Sequence, residues 1–440
     1  MTDHMHLIGF YMHSPINHTA ISWADPDDGR LAAMGSFDQW KRLARTLERG
    51  MFDGAFFADT PGGFDVYRDS LDDYVRWGVC WPCHDPMALV GVMLAETSHL
   101  GLAVTMSTSG SHPYQTVRRI STMDHLSGGR VGWNIVSGHL RGEHRALGLD
   151  QLGHDERYDH ADEYMEICYQ LWDGIAPDAI LADAATGQFA DPARVAQLAF
   201  DGKYLKCHGV PPVMRSPQGR PVLFQAGSSG RGQSFAMRHA DVVFSIQPRA
   251  EAMTRFVAKL ADTARAEGRA ETPKVTFGIQ CVLGGTEAEA RRHQAEMAER
   301  VPIDAALCRM SGTMGLDFSK LDLDSRLADN TTQASQGMLM ALANMTGNGD
   351  ATVRDAARMF GSSTGMPQVV GTPEQVADEL ERLWRSSGCF GFNVTPTTNI
   401  GSVEDFVDEV VPRLQAKGIY RTEYDGSTLR ENLELPEVAA

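Results

Sequence analysis

The chain has 440 residues, 42% of them apolar and 22% charged, which excludes intrinsic disorder and supplies a large core. Its 40 Lys and Arg against 57 Asp and Glu give a net charge of −17, which repels phosphate backbones and excludes a nucleic-acid partner. No basic leader precedes an apolar run at the N-terminus, and the apolar stretch 86–106 is broken at 96–99, short of the roughly 20 residues a membrane span needs.

Taken in order, β-branched and apolar runs predict strands over 7–11, 54–58, 101–106, 130–136, 221–226, 241–246, 274–282 and 389–395. Amphipathic periodicity predicts helices over 37–49, 86–97, 114–126, 157–172, 231–239, 251–266, 287–299 and 403–417. Ser36 precedes the first helix as a cap, and Thr372-Pro373 places a cap before a first-turn proline.

Strand-then-helix alternation of this kind predicts an α/β fold, a (β/α)8 TIM barrel, with an open doubly wound sheet as the alternative. The chain reads as a single domain over 1–440. A plain barrel needs roughly 250 residues, so the rest is assigned to insertions near 12–35, 60–85, 174–220 and 301–371. These are expected over the C-terminal strand ends as lid and substrate wall, the last with its own helix near 331–345. The polar tail, 420–440, is expected to pack across the surface or a partner chain.

A barrel of this type carries its active site at the C-terminal strand ends. Residues there include His13, Asp59, Thr105, Asn134, Ser137 and the turn Ala226-Gly227-Ser228-Ser229-Gly230. That lining is mostly neutral and hydroxylic, and it suits an aromatic cofactor better than metal-assisted hydrolysis. The Ala226–Gly230 turn follows a strand and opens a helix, so its N–H groups and hydroxyls could cradle a phosphate; a flexible turn with capping serines is the plainer reading. His154, Arg157 and Tyr158, in Gly153-His154-Asp155-Glu156-Arg157-Tyr158, could reach phosphate or ribityl groups, against a reading of the segment as a helix cap with Asp155 at or near the cap position.

No metal site is predicted, because the spacing in His139-Leu140-Arg141-Gly142-Glu143-His144 fits neither zinc-protease motif. Cys80-Trp81-Pro82-Cys83 has redox-pair spacing without a thioredoxin-like context. The seven scattered cysteines suit a reducing, cytoplasmic setting.

The stretches LARTLERGMFDGAFFAD, TMDHLSGGRVGWNIVSG, LGHDERYDHADEYMEICYQLW, RSPQGRPVLFQAGSSGRG and FVDEVVPRLQAKGIYRTEYDGSTLRENL resemble one family. It is the nitrilotriacetate, dibenzothiophene-sulfone and dimethyl-sulfide monooxygenase branch of the bacterial-luciferase-like FMN-dependent enzymes. The resemblance implies the large oxygenase component of a two-component system. Reduced FMN comes from a separate NAD(P)H:FMN reductase, O2 is co-substrate, and the chain forms a homodimer or homotetramer without nucleic acid or membrane. A small organic substrate is oxygenated, with C–S or C–N cleavage among the outcomes.

Carried over, Asp59 and Thr105 fall beside the isoalloxazine, and Asn134 and Ser137 on the strand wall. His154 and Tyr158 fall at the ribityl phosphate, and Ala226, Gly227, Ser228 and Ser229 in the phosphate loop. His13 is the candidate for proton steering. One departure stands out: relatives carry Thr-Ser where this chain has Ser137-Gly138, which either opens the pocket or relaxes a turn. A deazaflavin-dependent hydride-transfer enzyme of the same barrel superfamily and a non-catalytic flavin-binding protein are the competing readings.

Overall fold

The computed structural model describes residues 4–227, 230–269, 271–332 and 334–438. Eight parallel strands close into a barrel: β1 (His6–Met12), β2 (Gly54–Ala58), β3 (Gly101–Ser107), β4 (Val131–Val136), β5 (Val222–Gln225), β6 (Val242–Ser245), β7 (Lys274–Leu283) and β8 (Gly391–Thr395). Neighbours pair in chain order, and β8 pairs with both β7 and β1 to close the ring. Every predicted strand is thus present, within one or two residues at each end.

Period-two alternation explains the two cores. One side of each strand fills the barrel with Ile8, Phe10, Phe56, Phe224 and Phe244, whose rings interlock (Phe10–Phe244 centroids 4.9 Å, Phe56–Phe224 5.6 Å). The other side meets the surrounding helices. Helix Phe37–Arg49 begins where predicted, with the Ser36 hydroxyl accepting from Asp38 N–H. Thr372 and Gln375 form a reciprocal capping box at helix Pro373–Ser387. Asp155 does not cap its helix: Gly153 holds that position and His154 is the first helical residue.

The insertions divide in two groups. Among the described residues, segment 301–371 contains three α-helices, Ile303–Met314, Gln336–Ala343 and Val353–Ser363, where one was expected, and a short strand, Gln368–Gly371, that pairs in parallel with the end of β7. It shares an apolar core with Met12, Ile16, Phe64 and Tyr67, and so sits over the ends of β1 and β2 with the first two insertions. Thr19 Oγ1 donates to the Ser362 carbonyl at 2.8 Å, and Thr364 Oγ1 to that of His18 at 2.8 Å, stitching it to the loop after β1.

Segment 174–220 corrects the expectation of a lid over the strand ends. It leaves from the C-terminus of helix His154–Trp172, on the opposite side of the barrel layer, and forms two antiparallel hairpins. These hairpins run outside the helices, where His125 and His112 hold the carbonyls of Met214 and Lys206 at 2.9 Å each. The tail folds back across the N-terminal end of the barrel, with Leu429 and Leu433 joining its interior core.

Candidate active site

Two cavities open at the C-terminal strand ends. The smaller, about 100 Å³, is walled by Ser137 after β4, by Ala226 and Gly227 after β5, and by His154 and Tyr158 on helix His154–Trp172. The larger, about 420 Å³, is walled by Asp59 after β2 and by Thr105 in β3. Asn134 stands between them, since β4 pairs with β3 at Thr105↔Asn134 and with β5 at Ile135↔Gln225. Barrel closure thus gathers residues up to 168 positions apart (59 to 227) on one rim.

Asn134 Nδ2 donates to Thr105 Oγ1 at 2.8 Å. The side chain is buried, only 4% exposed, and its Oδ1 has no partner among the described residues. A buried acceptor left unmatched costs stability unless a ligand supplies the missing donor. In the smaller cavity, Gly227 N–H donates to Gln225 Oε1 at 2.6 Å, and a Cβ at Gly227 would lie 2.5 Å from the Gln225 amide, so only glycine fits. Ser228 and Ser229 lie outside the described residues. The helix that follows begins at Gly230, directly after the turn, which is the strand–turn–helix order of an anion site.

Asp59 accepts from Thr60 N–H at 2.8 Å and from the Cys83 thiol at 3.4 Å. Burial pushes its carboxyl up to about 6, aided by the nearby charges of Asp85 and Glu143 and opposed by those two hydrogen bonds. His154 Nδ1 lies 2.6 Å from Asp155 Oδ1.

His13 reaches neither cavity. Its buried ring packs edge-on to Trp40, 5.0 Å away, and Nε2 lies 3.3 Å from the Met34 carbonyl. Burial lowers its basicity. These contacts hold the ring against the segment 34–40. Gly138 has φ +68°, and a Cβ there would fall 2.3 Å from Ser109 Oγ, so its missing side chain relaxes a turn rather than opening a pocket.

Several cavity residues escaped the strand-end reasoning because insertions and returning loops carry them. In the larger cavity these are Cys83, Asp85 and Glu143; in the smaller, His139 and the segment 334–337, while Arg157 joins them from the anticipated 153–158 segment. Burial, with Arg157 and His144 nearby, pushes the His139 imidazole down to about 4, so it is neutral at ordinary pH. The Cys80-Cys83 motif holds two free thiols, and burial raises that of Cys83, which disfavours the reactive thiolate.

These residues fit an FMN-sized group. The smaller cavity offers Gly227 and Arg157 for a phosphate, with a helix starting at Gly230 just after it in sequence, while Asn134 leaves an acceptor for a ring N–H.

The sequence model of a family described as luciferase-like monooxygenase matches residues 19–389. Dibenzothiophene-sulfone monooxygenase of Rhodococcus erythropolis (strain XP) is 37% identical over 439 residues, 98% of this chain and 96% of that protein. Dimethyl-sulfide monooxygenase of Hyphomicrobium sulfonivorans is 37% identical, covering 97% of this chain and 89% of its own. The crystal structure of a riboflavin lyase with modified FMN and riboflavin superposes with TM-score 0.90 at 33% identity, covering 98% of this chain and 95% of that one. Among the described residues no helix is long and apolar enough to cross a membrane.

Proposed function

Because this chain belongs to the luciferase-like monooxygenase family, we propose that it accepts reduced FMN from a separate NAD(P)H:FMN reductase and consumes it with O2. It is a flavin-dependent monooxygenase, the oxygenase component of a two-component system. The reading rests above all on the buried, unmatched Oδ1 of Asn134 between two cavities that share one strand-end rim.

Bound reduced FMN supplies the two electrons with which O2 is split, one oxygen atom passing to the substrate and the other leaving as water. The protein binds, orients and shields. Ser137, His154, Tyr158, Ala226 and Gly227, with Ser228 and Ser229, hold the ribityl-phosphate end. Asn134, Thr105 and Asp59 would line the ring end, where the unmatched Oδ1 of Asn134 would accept from a ring N–H. His139, kept neutral by burial, adds a hydrogen-bonding group without adding charge. The helices of 301–371 close over the strand ends and exclude water, so that reduced cofactor is spent on substrate rather than on solvent.

The substrate is a small organic molecule, with sulfur compounds the first to screen, given the relatives named for a sulfone and a sulfide. Oxygenation beside sulfur or nitrogen yields a product that collapses with C–S or C–N cleavage. The free cysteines fit a cytoplasmic setting. Exposed Leu71, Val75 and Trp81 support assembly into a homodimer or homotetramer.

The test is an anaerobic titration with reduced FMN, followed by 18O2 and a substrate screen. Tight binding, with one 18O atom in the product, is the expected result. Binding of a deazaflavin in place of FMN would make this a hydride-transfer enzyme, and FMN binding without oxygen transfer to any substrate would leave a flavin carrier.

A further inference from the structure

We propose that the 420 Å³ cavity between β2, β3 and helix Arg141–Leu147 is the substrate chamber, and that its acidic wall selects a small ammonium-bearing molecule over an anion. The inference rests on the flavin reading above and narrows its substrate class. Asp59 and Thr105 border the flavin ring, and the rest of the cavity, where Met87, Met106 and Leu147 supply an apolar surface, takes the body of a small ligand.

The charge argument turns on Glu143. It is 4% exposed and lines the cavity, and its neighbour there is the Ser107 hydroxyl, with no cation among the described residues to pair it. The two arginines of its own helix are committed elsewhere. Arg141 Nε donates to Asp65 Oδ1 at 2.9 Å, and Arg145 Nη1 to Asp65 Oδ2 at 2.6 Å. Asp59, also in the lining, is bound among the described residues by the neutral donors Thr60 N–H and Cys83 S–H.

Asp85 adds a third carboxylate at the exposed rim, and the one cationic lining residue, Arg119, is also exposed. Water screens an exposed charge and leaves a buried one nearly unscreened, so the interior of the cavity is negative. Two buried carboxylates that disfavour one another are both relieved by a shared cation.

Glu143 does not point inward by accident of a loose loop. Its helix docks through backbone contact: a Cβ at Gly142 would lie 2.1 Å from the Gly63 carbonyl oxygen, and one at Gly62 2.3 Å from Gly142 itself. That glycine-on-glycine contact pins the first turn of the helix and leaves the next residue, Glu143, facing the cavity. Gly110 keeps the space open, since a Cβ there would come to 3.2 Å from Glu143 Oε1.

Calorimetric titration of the FMN-loaded protein with three probes of equal length, hexylammonium, hexanol and hexanoate, tests the inference. The expected order is hexylammonium over hexanol over hexanoate, with at least about tenfold between the two ions. Glu143→Gln should shrink that ratio about tenfold, and Asp85→Asn should shrink it less because Asp85 is at the rim. The Asp85→Asn variant also preserves the test if Glu143→Gln fails to fold. Equal affinities, a preference for hexanoate, or a ratio that neither variant changes would overturn the assignment. Reduced-FMN affinity measured in parallel separates the two readings. Normal flavin binding without cation preference rejects the chamber assignment alone, whereas absent flavin binding rejects the function on which it rests.

Discussion

The thiol of Cys83 donates to Oδ1 of Asp59 across 3.4 Å, joining the end of β2 to a loop residue 24 positions later. That contact and the Thr60 N–H stabilise the carboxylate, yet burial outweighs both and raises it to about 6. Between the ordinary carboxyl value and about 6, the folded protein holds a proton that the unfolded chain has released. Stability therefore falls as pH rises through that window and stays low above it.

Asp59→Asn removes the penalty. The variant should be more stable than the parent by about 1–3 kcal/mol at pH 8 and little different near pH 4. Thermal unfolding at the two pH values decides it: an equal difference at both would show that burial of the charge is not what Asp59 contributes.

Asn134→Ala removes the unmatched acceptor and the partner of Thr105. Reduced-FMN affinity should drop about tenfold, equivalent to about 1.4 kcal/mol, with about 1 kcal/mol lost in stability from the Thr105 hydrogen bond. An anaerobic titration that returns the parent's affinity would mean Oδ1 does not face the cofactor.

Ser228→Ala combined with Ser229→Ala should weaken reduced-FMN binding by about 1–3 kcal/mol, the worth of hydrogen bonds to a charged group. Free flavin lacking the phosphate should bind parent and double variant alike. Parent-like FMN affinity in the variant would remove the serines from the phosphate loop.

Arg421→Met tests the clamp that fixes the tail under the barrel. Asp53 is fully buried; its Oδ1 lies 2.8 Å from Arg421 and 3.0 Å from His6 Nδ1, and its Oδ2 accepts from Leu7 N–H at 3.0 Å. Losing the guanidinium leaves a buried carboxylate short of charge and should cost about 3–5 kcal/mol. Urea unfolding measures it, and a change below about 1 kcal/mol would mean that the tail contributes little to the barrel.

The sequence by itself determined the barrel. Strand and helix periodicity are local properties, so runs such as 54–58 and 37–49 carry their own structure and coincide with β2 and helix Phe37–Arg49. Because the barrel maps every C-terminal strand end to one rim, the positions of Asp59, Thr105, Asn134 and Ser137 on that rim follow from the strand pattern. Only the tertiary structure decided which further side chains join them. Glu143 faces the cavity through a contact between Gly62 and Gly142, 80 residues apart (142 less 62), and the segment 334–337 arrives from an insertion whose core is shared with Met12 and Phe64. It also turned His13 toward Trp40 and sent 174–220 along the outer helices. Such placements depend on packing between distant segments, and no local pattern of residues encodes them.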